Sequence, residues 1–167
     1  MFSAEGQFPA VISSVLGYVS GMRRYGQSVK TDITYKHRPG VYGVILHGNE
    51  ILLTHQAVPE SEIQLPGGGI DPDETALQAL HRECLEETGW KVQVDRRLGA
   101  YQRFTYMLDY EFWAQKICHI YLCRPVYKLQ DPIEPFHTTI WTDVDDALDL
   151  ISNEGDCDFL RAVLALR

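Results

Sequence analysis

An α/β fold, with a mixed β-sheet covered on both faces by helices, is what this sequence predicts. Three observations lead there. Short apolar runs precede a glycine-bounded helical stretch, Gly68–Trp90; more strand-like runs follow it; and two helical segments close the chain. At 167 residues one domain can bury a sizeable core without staples, and neither a repeat nor a linker divides it.

The first nineteen or so residues stand apart. Phe8, Val11, Ile12, Val15, Leu16 and Val19 recur at helical spacing, and Pro9 suits a first turn. Glu5 is the only charge before this run, which argues against a secretory signal. Only Arg23 and Arg24 follow as cations, too few for a membrane-surface helix. Residues 1–36 are therefore expected to form an N-terminal extension, a helix plus a strand over Tyr25–Lys36, that packs on the domain or makes a homodimer contact. Residues 37–167 form the domain itself.

Within the domain, Val41–His47 and Ile51–His55 flank Gly48-Asn49 and predict a hairpin. Gln56–Ile63 is polar and contains Pro59, so a loop is expected. Gln64-Leu65-Pro66-Gly67 then gives a short strand and a turn. The glycines there are followed by neither Gly-Lys-Ser/Thr nor a G-x-G-x-x-G spacing, which excludes both common phosphate loops. Asp73 or Thr75 can cap the next helix, Asp71, Asp73 and Glu74 suit its positive end, and Gly89 suits its stop. Leu77, Leu80, Cys84 and Leu85 are the expected core arc. Beyond the helix, Lys91–Asp95 and Leu98–Phe104 look like strands broken at Arg96-Arg97. Met107–Gln115, aromatic and acidic, predicts a long loop that covers the site. Ile117–Tyr127 is strand-like, with Pro125 near an edge or end. Asp131–His137 is a loop, Thr139–Trp141 a short strand, and Thr142 with Asp145 opens a helix through about Ile151. Asp156 caps a last helix whose inner face is Phe159, Leu160, Val163 and Leu164.

Charge and cysteine content narrow the function. A formal charge of −8 argues against a nucleic-acid polymer as partner, since no basic stripe offsets phosphate repulsion. The cysteines, Cys84, Cys118, Cys123 and Cys157, form neither a C-x-x-C pair nor a zinc pattern, so reduced thiols in a cytoplasmic protein are expected. No stretch is long and apolar enough for a bilayer.

Glu83, Glu86 and Glu87 stand at i, i+3 and i+4 and share one helix face. Such carboxylates repel unless a cation sits among them. Hard divalent ions take oxygen ligands and commonly bridge carboxylates to substrate phosphates. A solvated acidic face is the plainer alternative for a lone E-x-x-E-E. Here Gly68, Glu74, Arg82, Glu83, Cys84, Glu86, Glu87, Gly89 and Trp90 fill every position of G-x5-E-x7-R-E-U-x-E-E-x-G-U, where U is bulky and apolar, with Cys84 small for its place. In this the chain resembles the Nudix hydrolase family, MutT-like enzymes among them.

The resemblance implies an α/β/α sandwich, with the glycine-bounded helix against the sheet. It implies Mg²⁺-dependent hydrolysis, with Mn²⁺ as the alternative ion, of a phosphoanhydride in a nucleoside diphosphate linked to another moiety. Glu83, Glu86 and Glu87 would be the metal ligands, with the Gly67 carbonyl completing the shell and Glu83 doubling as base through a water. Arg82 would orient Glu86, Glu74 would support the site, and Ala76 and Ala79 would leave room for ions. Glu134 is the expected downstream carboxylate, with Glu111 as runner-up. His119 and His137 are assigned no catalytic role. Arg38, Arg103 and Tyr106 are candidate substrate contacts, as are Arg97, Tyr101 and Phe104. Proline is absent between Gly89 and Cys123, which disfavours ADP-ribose; a nucleoside triphosphate or dinucleoside polyphosphate fits better. An RNA 5′-end pyrophosphate and a non-catalytic nucleotide sensor are the competing readings.

Overall fold

The computed structural model describes residues 22–167, so the N-terminal helix and the homodimer contact expected of it lie outside the described residues. Elements run β1 (Arg24–Gly26), β2 (Lys36–His47), β3 (Glu50–Gln56), β4 (Glu62–Gln64), β5 (Gly67–Gly69), α1 (Ala76–Thr88), β6 (Trp90–Met107), a 3₁₀ turn (Leu108–Tyr110), β7 (Phe112–Lys128), β8 (His137–Asp143), α2 (Val144–Leu150) and α3 (Glu154–Leu164). The strand expected over Tyr25–Lys36 is only β1, paired parallel to β6. Among the described residues no helix is long and apolar enough to cross a membrane.

The sheet is mixed, in the order β1-β6-β7-β2-β3-β4, with β5 added to β2 and β8 to β3. Its centre is the parallel pair β2 and β7, in register from Lys36↔Ala114 to Ile45↔Cys123. The hairpin expected at Gly48-Asn49 closes β2 onto β3, with Gly48 in the left-handed region at φ 58°.

Strand alternation sends side chains to two cores. Val41, Ile45 and Leu52 meet Ala79, Leu80 and Cys84 of α1. Tyr42, Val44, Leu46, Ile51 and Leu53 meet Val144, Ala147, Phe159, Leu160 and Val163 of α2 and α3. Helices thus cover both faces, as expected. On α1, however, the buried arc is shifted. Leu77 is exposed and Leu85 half-buried, whereas Ala79 is fully buried, so Ala76 and Ala79 bring α1 close to the sheet rather than making space for ions.

Two breaks read from the sequence are not breaks. Arg96-Arg97 lies within β6, where bulges let the pairing with β7 continue through Arg96↔Leu122 and Arg97↔Tyr121. The aromatic stretch is no long loop either. Tyr106↔Trp113 and Met107↔Phe112 extend the ladder, and Glu111 at φ 52° closes a tight tip. Edge-to-face contacts of Trp113 with Tyr106 (5.3 Å) and Tyr35 (6.0 Å) hold that tip together. Pro125 stands inside β7, opposite Val92.

The C-terminal caps also differ. Asp143, not Thr142, caps α2 by accepting from the Asp145 N–H, and Asn153, not Asp156, caps α3. Asp156 is 1 % exposed and accepts from the Tyr101 hydroxyl at 2.7 Å and the Leu65 N–H at 3.4 Å. Burial pushes its carboxyl up to about 6. Both states are protonated at low pH; as pH rises from about 4 to about 6 the unfolded chain ionises first, so stability falls across that window. Asp156→Asn is expected to remove this slope. Urea midpoints of wild type and variant, taken from about pH 4 to pH 7, should diverge as pH rises; a constant difference would refute the assignment.

Candidate active site

The site is set by how α1 begins and ends. Thr75 caps it in a reciprocal box with Gln78, and Gly89 ends it at φ 75°, its N–H donating to the Leu85 carbonyl. A Cβ on Gly89 would meet the Gln130 carbonyl oxygen at 1.9 Å, so this glycine admits the next loop against the helix end. The Ile133 and Glu134 N–H groups both donate to the Glu86 carbonyl, at 2.8 and 3.0 Å. These bonds carry Glu134 to the carboxylate face of α1.

Glu83, Glu87 and Glu134 line one cleft of about 290 Å³, together with Arg38, Gly67, Gly68, Lys116 and His137. Glu87 is only 4 % exposed; it accepts from the Gly67 N–H at 3.0 Å and stands 3.2 Å from His137 Nε2. His137 Nδ1 lies 3.1 Å from the Pro135 carbonyl, which can only accept, so Nδ1 carries a hydrogen. Burial pushes the Glu87 carboxyl well up, against the Gly67 N–H and with Glu83 and Glu134 adding to the rise. Burial also raises Glu83, which Arg82 counters and Glu86 and Glu134 reinforce.

Arg82 ties the acids together. Its Nη1 donates to Glu83 at 2.8 Å and Glu86 at 3.2 Å, its Nε to Glu74 at 3.1 Å, and its Nη2 to Glu74 and, at 3.0 Å, to the Gly69 carbonyl. The hydrogen bond from Arg82 is the main cause of the lowered Glu74 carboxyl. Arg82 thus reaches Glu74, Glu83 and Glu86, more than the single Glu86 pair expected of it. Glu86 itself stays on the rim beside Arg82 and does not line the cleft. Glu111 sits at the hairpin tip, also outside the cleft lining, so of the two downstream candidates Glu134 is the one that faces it.

Among the described residues no three His, Cys, Asp or Glu side chains already stand in metal-ligating geometry. The donor chemistry nonetheless suits a hard cation: carboxylate oxygens converge on one cleft, and Glu83 and Glu87 are both raised by burial first and by the charge of Glu134 as well. A divalent ion would relieve that repulsion.

The other candidates divide between this cleft and an adjoining one. Arg38 lines the carboxylate cleft and lies over the Tyr110 ring at 4.9 Å. Arg103 and Tyr106 line a neighbouring pocket of about 120 Å³, where Arg103 pairs with Glu62 at 2.8 Å. Tyr101 and Phe104 are buried in packing roles, and His119 and Arg97 lie within hydrogen-bond distance of each other, away from the cleft. Lys116, which lines both pockets, carries no local signal in the sequence, because only its pairing with Arg38 and Arg103 marks it.

The NUDIX domain model matches residues 36–163, which include every residue of this cleft. The chain is 42% identical over 59 residues to an RNA pyrophosphohydrolase of Helicobacter pylori (strain G27), covering 32% of this chain and 38% of that protein. It is 26% identical over 131 residues to a CTP pyrophosphohydrolase of Escherichia coli (strain K12), covering 76% and 91%. It spans less than half the length of several curated relatives it matches, the Helicobacter protein among them. A NUDIX hydrolase structure from Nitrosomonas europaea shares the fold, with a TM-score of 0.65 at 19% identity over 78% of this chain and 90% of that one.

Proposed function

The chain belongs to the Nudix family, and from that premise we propose that it hydrolyses a phosphoanhydride bond in a nucleoside diphosphate linked to another moiety, with Mg²⁺ as the ion. The observation that carries this reading is the convergence of Glu83, Glu87 and Glu134 on a cleft that also holds Arg38 and Lys116. Nudix hydrolases generally use divalent metal ions. Glu83 and Glu87, with the Gly67 carbonyl and Glu134, would hold the ion here, and Glu86 would join them from the rim. Bound there, it would neutralise phosphate charge and acidify a water.

The chain's own residues then do the rest. Glu83 is the base, because it is the cleft carboxylate held by the Arg82 guanidinium rather than locked by backbone. Glu87 is the anchor, fixed between the Gly67 N–H and His137. Arg82 is a positioning residue for Glu83 and Glu86. Arg38, Arg103 and Tyr106 are the substrate contacts, and the substrate is a small nucleotide. A triphosphorylated RNA end carries the same bond, but a chain of charge −8 is a poor host for the polymer behind it.

The test is a screen of nucleoside triphosphates, dinucleoside polyphosphates and nucleotide sugars, with Mg²⁺, with Mn²⁺ and with excess chelator. Hydrolysis to a nucleotide and a phosphorylated product is expected with either ion and is lost on chelation. Turnover undiminished by chelation, or none across the panel, would overturn the proposal.

A further inference from the structure

Opposite the carboxylates stands a row of cations that bond cleavage alone does not require. Lys116 on β7 is in register with Arg38 on β2 and with Arg103 on β6. Partners in register share a face, so three positive side chains rise from the same face of adjacent strands, which lie ~4.8 Å apart. Like charges opposite one another in a sheet destabilise it. Arg103 is relieved by Glu62 at 2.8 Å. Among the described residues Arg38 and Lys116 form no ion pair. Both are half-buried; the Tyr110 ring lies 4.9 Å from Arg38, and Lys116 lies 5.6 Å from the Tyr42 ring, whose hydroxyl it also meets. Both line the same cleft as Glu83, Glu87 and Glu134, and Lys116 also opens onto the pocket of Arg103 and Tyr106.

The cleft therefore holds two cations that no carboxylate pairs among the described residues, beside Glu83, Glu87 and Glu134; Asp109 and Glu62 also line it, Glu62 being engaged by Arg103. We propose that Lys116 and Arg38 form a charge-counting subsite that binds phosphate beyond the two at the carboxylate end, so that the enzyme selects nucleotides with three or more phosphates over nucleoside diphosphates linked to a neutral sugar. This rests on the hydrolase reading above. A diphosphate with its ion satisfies the acidic end and leaves Arg38 and Lys116 facing the sugar, which offers no counter-charge. A further phosphate supplies it, and charge-assisted hydrogen bonds of this kind are among the strongest a site can make. Lys116 is the hinge of the arrangement because it borders both pockets, and its compact ammonium can serve a phosphate in either.

The experiment compares UTP with UDP-glucose on wild type, Lys116→Met and Lys116→Arg, with thermal melts to establish folding. Wild type is expected to favour UTP in kcat/KM. In Lys116→Met the UTP to UDP-glucose ratio should fall about tenfold or more, chiefly through KM for UTP, and Lys116→Arg should restore most of it. A wild type that prefers the sugar nucleotide, or equal losses on both substrates, would overturn the subsite while leaving the hydrolase reading intact. Calorimetric binding of the α,β-imido analogue of UTP and of UDP-glucose separates the two ideas from the other side. If no substrate is cleaved, the hydrolase reading fails, yet analogue binding that Lys116→Met selectively weakens sustains the subsite; binding unchanged in Lys116→Met overturns it.

Discussion

Glu83→Gln is expected to lower kcat by about 10²–10⁴-fold, the usual contribution of a positioned acid–base group, without loss of stability. Gln keeps an oxygen for the Arg82 Nη1 donor that Glu83 accepts at 2.8 Å, so the local network survives. It also removes a half-buried charge that burial and the nearby Glu86 and Glu134 make costly to ionise. Melting temperature should therefore hold or rise slightly, and KM should change less than kcat. Glu87→Gln is a different perturbation. Glu87 accepts the Gly67 N–H and meets His137, so its change loosens the join between α1 and β5 as well as the cleft. If Glu83→Gln retained wild-type turnover, Glu83 would not be the base, and the roles given to Glu83 and Arg82 would fall together.

What could be read in the sequence was what lies close together along it. Gly68–Trp90 holds the glycine turn, the Thr75 cap, the carboxylates and the Gly89 stop within a few helical turns, and each depends on its near neighbours. Arg96-Arg97 misled because local polarity imitates a break, whereas Tyr121 and Leu122 on β7 supply the pairing that carries β6 through its bulges. The aromatics around Trp113 carry no clean alternation, and what makes them a strand is their pairing across the tip with Tyr106 and Met107. Asp156 sits where a cap is plausible, but the hydroxyl of Tyr101, distant in sequence, claims its carboxylate. Lys116 was invisible for the same reason. Its meaning lies in cross-strand register with Arg38 and Arg103, and register is a property of the folded sheet.

Two adjacent glycines should fail in opposite ways when each is given a methyl group. Gly67 has φ 147°, a region that other residues rarely enter, and an added Cβ would meet the Val41 carbonyl oxygen at 2.1 Å and the Tyr42 Cα at 2.7 Å. Both obstacles are backbone of β2, held in the centre of the sheet between β3 and β7, so they cannot yield. Gly67→Ala is expected to cost about 3–4 kcal/mol, from backbone strain plus the clash, and to appear as a lower urea midpoint. The Gly67 N–H that holds Glu87 at 3.0 Å would shift with it, so activity falls as well. Gly68 has no left-handed backbone, and its added Cβ would meet the Glu83 carboxylate carbon at 2.6 Å. That carboxylate ends a flexible side chain and can move, so Gly68→Ala should change stability by less than about 1 kcal/mol. Moving it displaces the proposed base by roughly an ångström, for which about 10²-fold in kcat is a reasonable loss. The pair thus separates the glycine that builds the cleft from the glycine that leaves room for its base. Equal destabilisation by both substitutions, or full activity in Gly68→Ala, would refute that division.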